Sequence, residues 1–150
     1  GAAAASLVEP GAVVMLDAGS TTAHVARALA ARGVQATVLT NSLTAAADLA
    51  AAPGGTIRVL LCPGEVSAGE RGVYGSEAEA FLRRFNADLA LIGASGLTEE
   101  GPSDAVSRAA WVKRAMLDRA ARRVLVVDSA KFGRALLERV CPLGAVTDLV

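Results

Sequence analysis

"LDAGSTTAHV", residues 16–25, decides the fold. The apolar run Val13-Val14-Met15-Leu16 leads into it and reads as a buried strand. Asp17 to Thr21 are small or acidic and polar enough for a tight turn, and Ala23 to Ala31 reads as a helix. A turn of this kind leaves the first N–H groups of the helix, and its partial positive end, facing outward. Gly19 lets a ligand approach the backbone closely, and Ser20, Thr21 and Thr22 add hydroxyl donors. Together they suit an anion, phosphate above all. A serine or threonine at a helix start is also an ordinary cap, so this turn alone does not establish a site.

The same rhythm recurs along the chain. Residues 13–18, 36–40, 57–62, 89–94 and 123–128 read as strands, with a sixth at 145–150. They are nearly continuously apolar, as strands covered on both faces should be. Helical stretches fall at about 22–32, 43–52, 76–85, 105–121 and 134–140. Ser76 with Glu79 fits a capping box, and Asp104 stands where the fourth helix needs an N-cap. Alternation of this kind implies right-handed crossovers. The expected fold class is α/β, a mostly parallel sheet with helices on both faces.

Length points to one domain, with residues 1–6 read as a linker remnant and 7–150 as the domain. A chain of this size buries roughly 70% of its unfolded surface. Lys+Arg and Asp+Glu both total 15, so no basic excess marks a nucleic-acid-binding domain. No apolar stretch approaches the roughly 18 residues of a membrane span, and "GAAAASLVEP" lacks the parts of a signal peptide. Cys62 and Cys141 have no metal-ligand spacing and read as reduced, packed thiols of a cytoplasmic protein. No cofactor is called for. Arginine outnumbers lysine 13 to 2, so Lys113 and Lys131 stand out.

Further small, polar junctions follow other strands: Asn41-Ser42, then Gly93-Ala94-Ser95-Gly96, then "DSAKFG" at 128–133. The segments 63–74 and 95–104 are long for strand-to-helix loops and leave the same sheet edge. In open α/β sheets ligands bind at that edge. Lys131 follows a strand end, and Lys113 lies on the flank of a helix with the apolar stripe Ala109, Val112 and Met116. Lysine is a good partner for phosphate or sugar oxygens. His24 reads as a surface or packing residue, because nothing marks a nucleophile elbow. Glu65, Glu70, Glu99 and Glu100 read as loop carboxylates, with Glu65 held tightest, beside Pro63-Gly64.

In order, "MLDAGSTT", "LTNSL", "YGSEAEAFL", "ADLALIGASGLT", "AAWVKRAM", "VLVVDSAKFG" and "AVTD" resemble the C-terminal effector-sensing domain of DeoR-type bacterial transcription regulators. The resemblance runs from about residue 6 to residue 150. It implies a fold like that of ribose-5-phosphate isomerase, glucosamine-phosphate deaminases and CoA transferases. It implies a phosphorylated sugar or related metabolite as effector, bound by Asp17, Gly19, Ser20, Thr21 and Thr22 with Asn41 and Ser42 beside them. Gly93, Ser95, Gly96, Lys113, Asp128 and Lys131 would line or support the pocket, which the loop carrying Gly64 and Glu65 borders. Many members show a Gly-Gly pair in that loop, where this chain has Pro63-Gly64. Full-length members carry an N-terminal winged-helix domain that contacts DNA; these 150 residues contain none of it. Members generally self-associate, so a homo-oligomer is expected. The alternative is a sugar-phosphate isomerase of the same fold. Its turn after the corresponding strand carries two aspartates, where residues 93–96 here carry none.

Overall fold

The computed structural model describes all 150 residues. Residues 1–6, expected as a linker, instead begin the domain with helix α1 (Ala2–Ser6). Its four alanines favour helix, and Ala4 and Ala5 are fully buried. Arg32 fastens this helix by donating to the carbonyls of Ala5 and Val8.

Next come β1 (Ala12–Leu16), α2 (Ser20–Arg32), β2 (Ala36–Thr40), α3 (Leu43–Ala50) and β3 (Ile57–Leu61). Helix α2 stops at Gly33, whose φ of 62° supplies the left-handed C-cap. A short hairpin, β4 (Glu65–Ser67) and β5 (Gly72–Tyr74), precedes α4 (Ser76–Leu82) and β6 (Ala87–Ile92). A second, β7 (Gly96–Thr98) and β8 (Gly101–Asp104), precedes α5 (Ser107–Arg119) and β9 (Ala120–Leu125). The short strands β10 (Glu138–Arg139) and β11 (Asp148–Leu149) complete the chain.

Six strands form one sheet in the order β3-β2-β1-β6-β9-β11, every neighbouring pair parallel. Successive residues point to opposite faces, so each strand feeds two apolar layers. Val14, Leu16, Val38, Leu91 and Val124 pack with α1, α2 and α3. Met15, Leu39, Ala90, Ile92 and Leu125 pack with α4 and α5 on the other face. The chain winds outward from β1 to β3, then returns to place β6 on the other side of β1. The crossover direction reverses between β1 and β6, which opens a crevice beyond their C-terminal ends.

Several local expectations give way to tertiary contacts. The two long connections are hairpins, not loops. Residues 134–140, expected as a helix, run extended, and Glu138 pairs antiparallel with Asp104. Leu136 N–H donates to Ser103 Oγ at 2.9 Å and Val140 N–H to the Pro102 carbonyl at 2.8 Å, contacts a helix would forgo. Gly75, not Ser76, is the N-cap of α4, and no capping-box hydrogen bond forms. The N-cap of α5 is Val106, so Asp104 does not cap it. Asp104 is instead a buried strand residue.

Candidate functional site

Asp17 is the first residue beyond β1, in the crevice against the end of β6. Its backbone N–H continues the ladder to the Leu91 carbonyl at 3.1 Å. Its Oδ2 accepts the Gly93 N–H at 3.3 Å. The buried residues after β2 hold the neighbouring turn. Asn41 Oδ1 accepts the Ala18 N–H at 3.0 Å, while its Nδ2 donates to the Val73 carbonyl at 3.2 Å. Thr40 Oγ1 donates to the Leu16 carbonyl at 2.6 Å and accepts the Ser42 N–H at 3.0 Å. Ser42 caps α3 by accepting the Ala45 N–H at 3.1 Å. These three side chains thus brace β1 against β5 and α3.

Helix α2 opens at Gly19 without any side-chain cap. Thr22 Oγ1 donates back to the Gly19 carbonyl at 3.1 Å, so it does not cap the first N–H groups. Those groups have no intrahelical acceptor and carry the positive end of the helix.

The strongest electrostatic feature lies below. Lys113 on α5 is 4% exposed, yet its Nζ stands 2.6 Å from Asp17 Oδ2 and 3.3 Å from Asp104 Oδ2. Ser95 Oγ donates to Asp104 Oδ1 at 2.8 Å. Two carboxylates thus share one buried ammonium. Burial lifts the Asp17 carboxyl above its ordinary value, against the pull of Lys113. For Lys113, burial acts to lower the value, but the two carboxylates outweigh it and hold the ammonium charged beyond its usual range. Asp17 Oδ1 is buried without a hydrogen-bond donor.

Above this cluster lies a cleft of about 530 Å³, a size suited to a small metabolite. One wall is the start of α2, with Gly19, Ser20, His24 and Arg27. The β4–β5 hairpin contributes Gly69, Glu70, Arg71 and Tyr74. Helix α5 supplies Ala109 and Lys113, its N-cap is Val106, and Ser42, Ser95 and Asp104 also line the cleft. The hairpin is tied to α5 through Arg108. Its guanidinium lies 5.4 Å over the Tyr74 ring, donates to Ser67 Oγ at 3.0 Å and stands 3.8 Å from Glu70. Burial pushes the Cys62 thiol up to about 12, so it is no nucleophile near neutral pH.

Of the residues expected at the site, Gly19, Ser20, Ser42, Ser95 and Lys113 line the cleft. Asp17 and Gly93 stand directly behind it. Asn41 and Thr22 are buried and used internally, and Thr21 is half-buried on the first turn, outside the lining. The others do not come to this cleft. Gly64 packs against the Tyr74 carbonyl, with Glu65 exposed beside it. Gly96 is covered by the Arg134 backbone. Asp128 caps the turn Ser129–Lys131 by accepting the Ala130 N–H at 2.9 Å, and Lys131 is half-exposed there. Sequence reasoning missed Asp104, Glu70, Arg71 and Tyr74 as cleft residues. A rare lysine beside an apolar helical stripe was the available sign of a buried partner such as Asp104.

Solved structures share the fold. Ribose 5-phosphate isomerase A from Methanocaldococcus jannaschii superposes with a TM-score of 0.61 at 21% identity, over 87% of this chain and 51% of that one. The eIF2B delta subunit from Chaetomium thermophilum superposes with a TM-score of 0.68 at 14% identity, over 99% of this chain and 52% of that one. Sequence relatives are closer. The HTH-type transcriptional repressor GlcR of Bacillus subtilis is 33% identical over 150 residues, all of this chain and 57% of the relative. The glycerol-3-phosphate regulon repressor of Escherichia coli is 29% identical over 131 residues, 87% of this chain and 51% of the relative. The chain therefore spans about half the length of the curated relatives it matches. The model of the DeoR C terminal sensor domain matches residues 1–150. With that match end to end, and with the strand-edge cleft expected of a sensor, the chain belongs to the DeoR family as its C-terminal sensor domain.

Proposed function

We propose that the cleft binds a phosphorylated sugar or a close metabolite and that its occupancy controls DNA binding by a separate winged-helix domain. The observation that carries this reading is the uncapped start of α2 opening onto the same cleft as Ser95, Asp104 and Lys113. The helix start suits a phosphate. The buried carboxylate–ammonium cluster suits sugar hydroxyls, which both donate and accept. Relatives named as repressors, one of a glycerol-3-phosphate regulon, support a sugar-derived effector. On the same reading the whole protein is a cytoplasmic homo-oligomer, and residues 1–150 form the sensing unit.

A thermal-shift panel of phosphorylated and free sugars tests this. A ligand at about 100 times its Kd stabilises by about 2.7 kcal/mol, or roughly 5–11 °C for a chain of this size. Stabilisation by free sugars equal to that by their phosphates would refute the phosphate assignment.

One observation favours the isomerase alternative. The turn 93–96 lacks carboxylates, but Asp104 reaches the cleft from β8. A general base needs a carboxylate free to take a proton. Asp104 is committed to Lys113 and Ser95, and Asp17 to Lys113 and Gly93. We therefore read the domain as a binder and not an enzyme. Turnover of ribose 5-phosphate by the purified chain would reverse that reading.

A further inference from the structure

We propose that Arg71 grips the anionic group of the effector and so selects the phosphorylated form; this rests on the cleft being the effector site.

Nine residues have a φ between +20° and +160°, eight glycines and Arg71 at 51°. A side chain bearing Cβ is strained there, and such strain persists where the surroundings impose it, often at ligand clamps. The next residue, Gly72, is a glycine, yet this position carries an arginine. The backbone is held from outside. The Arg71 carbonyl accepts the Leu43 N–H at 3.0 Å, Gly72 bridges to Ser42, and Val73 N–H donates to the Asn41 carbonyl at 2.7 Å. These contacts pin the hairpin tip to the start of α3 and hold Arg71 at the cleft.

Charge is the second, independent observation. Three Lys and Arg side chains line the cleft: Arg27, Arg71 and Lys113. Arg27 stands 3.7 Å from Asp48, and Lys113 is held by Asp17 and Asp104. Arg71 alone makes no ion pair and no side-chain hydrogen bond within the chain. It lines the same cleft as the uncapped start of α2. A planar guanidinium there can meet two phosphate oxygens at once, while the helix N–H groups meet the others.

The test compares the parent chain with Arg71→Gly and Arg71→Met by NMR titration with inorganic phosphate, following the amides of Ser20, Thr21 and Thr22. Those amides should shift and saturate in the parent, and both variants should bind about five-fold more weakly or worse. Arg71→Gly should melt at or above the parent temperature, because it relieves the backbone. Arg71→Met keeps the strain and the stem, so its loss reports the charge. Parent-like affinity in Arg71→Met would remove Arg71 from the site and leave the phosphate reading intact. A fall of several degrees in the melting temperature of Arg71→Gly would make the arginine structural and overturn the proposal. If the parent amides do not respond to phosphate, the phosphate reading of the cleft falls, and Arg71 with it.

Discussion

Replacing Lys113 with methionine keeps the apolar stem and removes the one cation between Asp17 and Asp104. At an effective dielectric constant of about 20, the attractions at 2.6 Å and 3.3 Å are roughly 6 and 5 kcal/mol. Burying three ions costs several kcal/mol each, so the intact cluster adds little net stability. Without the ammonium, Asp17 at 1% exposure and Asp104 at 6% become buried like charges with no counter-ion, left only with the Gly93 N–H and the Ser95 hydroxyl. The expected loss is about 3–5 kcal/mol at pH 7, or roughly 6–20 °C in melting temperature. Its pH dependence has a definite sign. In the variant Asp17, already raised by burial, loses the Lys113 charge that pulls it down, so the folded form binds more protons. Stability then falls as pH rises from its unfolded to its folded value and recovers as pH is lowered. Urea titrations should therefore show the gap to the parent narrowing from pH 7 to about pH 4.5. Adding Asp17→Asn and Asp104→Asn to Lys113→Met should restore at least half of the loss. A loss below about 1 kcal/mol, or one that does not change with pH, would refute the picture of a buried, mutually dependent charge cluster. In the parent, the raised Lys113 value places its contribution below its ordinary value, with loss only as pH climbs past the folded one.

Asn41→Ala leaves the Ala18 N–H and the Val73 carbonyl without partners inside the core, so denaturation should show a loss of about 2–4 kcal/mol, together with weaker effector binding. Gly101 has a φ of 130° and its missing Cβ would strike the Cys141 carbonyl, so Gly101→Ala should cost at least about 2 kcal/mol. Gly144→Ala, with nothing within 4 Å, should melt close to the parent. Arg122 and Thr147 hold the Asp148 carboxyl down to about 2, so its contribution is present above pH 4 and lost as pH falls toward that value. Asp148→Asn should flatten the acid limb of a stability–pH curve between about pH 4 and pH 2.

The parallel sheet was legible because its strands are buried on both faces. "ATVLT" and "LALI" have nowhere else to put their side chains. The hairpins were not legible. Strand β8 reads Gly-Pro-Ser-Asp, four poor strand formers, and is extended only because β7 and β10 pair with it. Residues 134–140 carry apolar residues at helical spacing, yet Leu137 is 78% exposed and Arg114 takes the carbonyls of Arg139 and Val140. Local propensity favours the helix there, and the open edge of β8 wins.

The site divides along the same line. The turn at 17–22 was readable because a helix start after a buried strand is local chemistry. Asp104 was not, because local sequence makes it an N-cap and only the fold carries it back to the crevice between β1 and β6. Its burial then changes what the lysine means. On an exposed helix Lys113 would be one surface charge among fifteen cations. Between two inward-facing carboxylates it ties β1, β8 and α5 into one electrostatic unit directly beneath the cleft. A ligand hydroxyl that meets Asp104 or Lys113 therefore acts on three elements at once. By the proposal above, the anionic group meets Arg71 and the start of α2 instead. An effector that met both would couple the hairpin to that unit, and a bare anion at Arg71 would not.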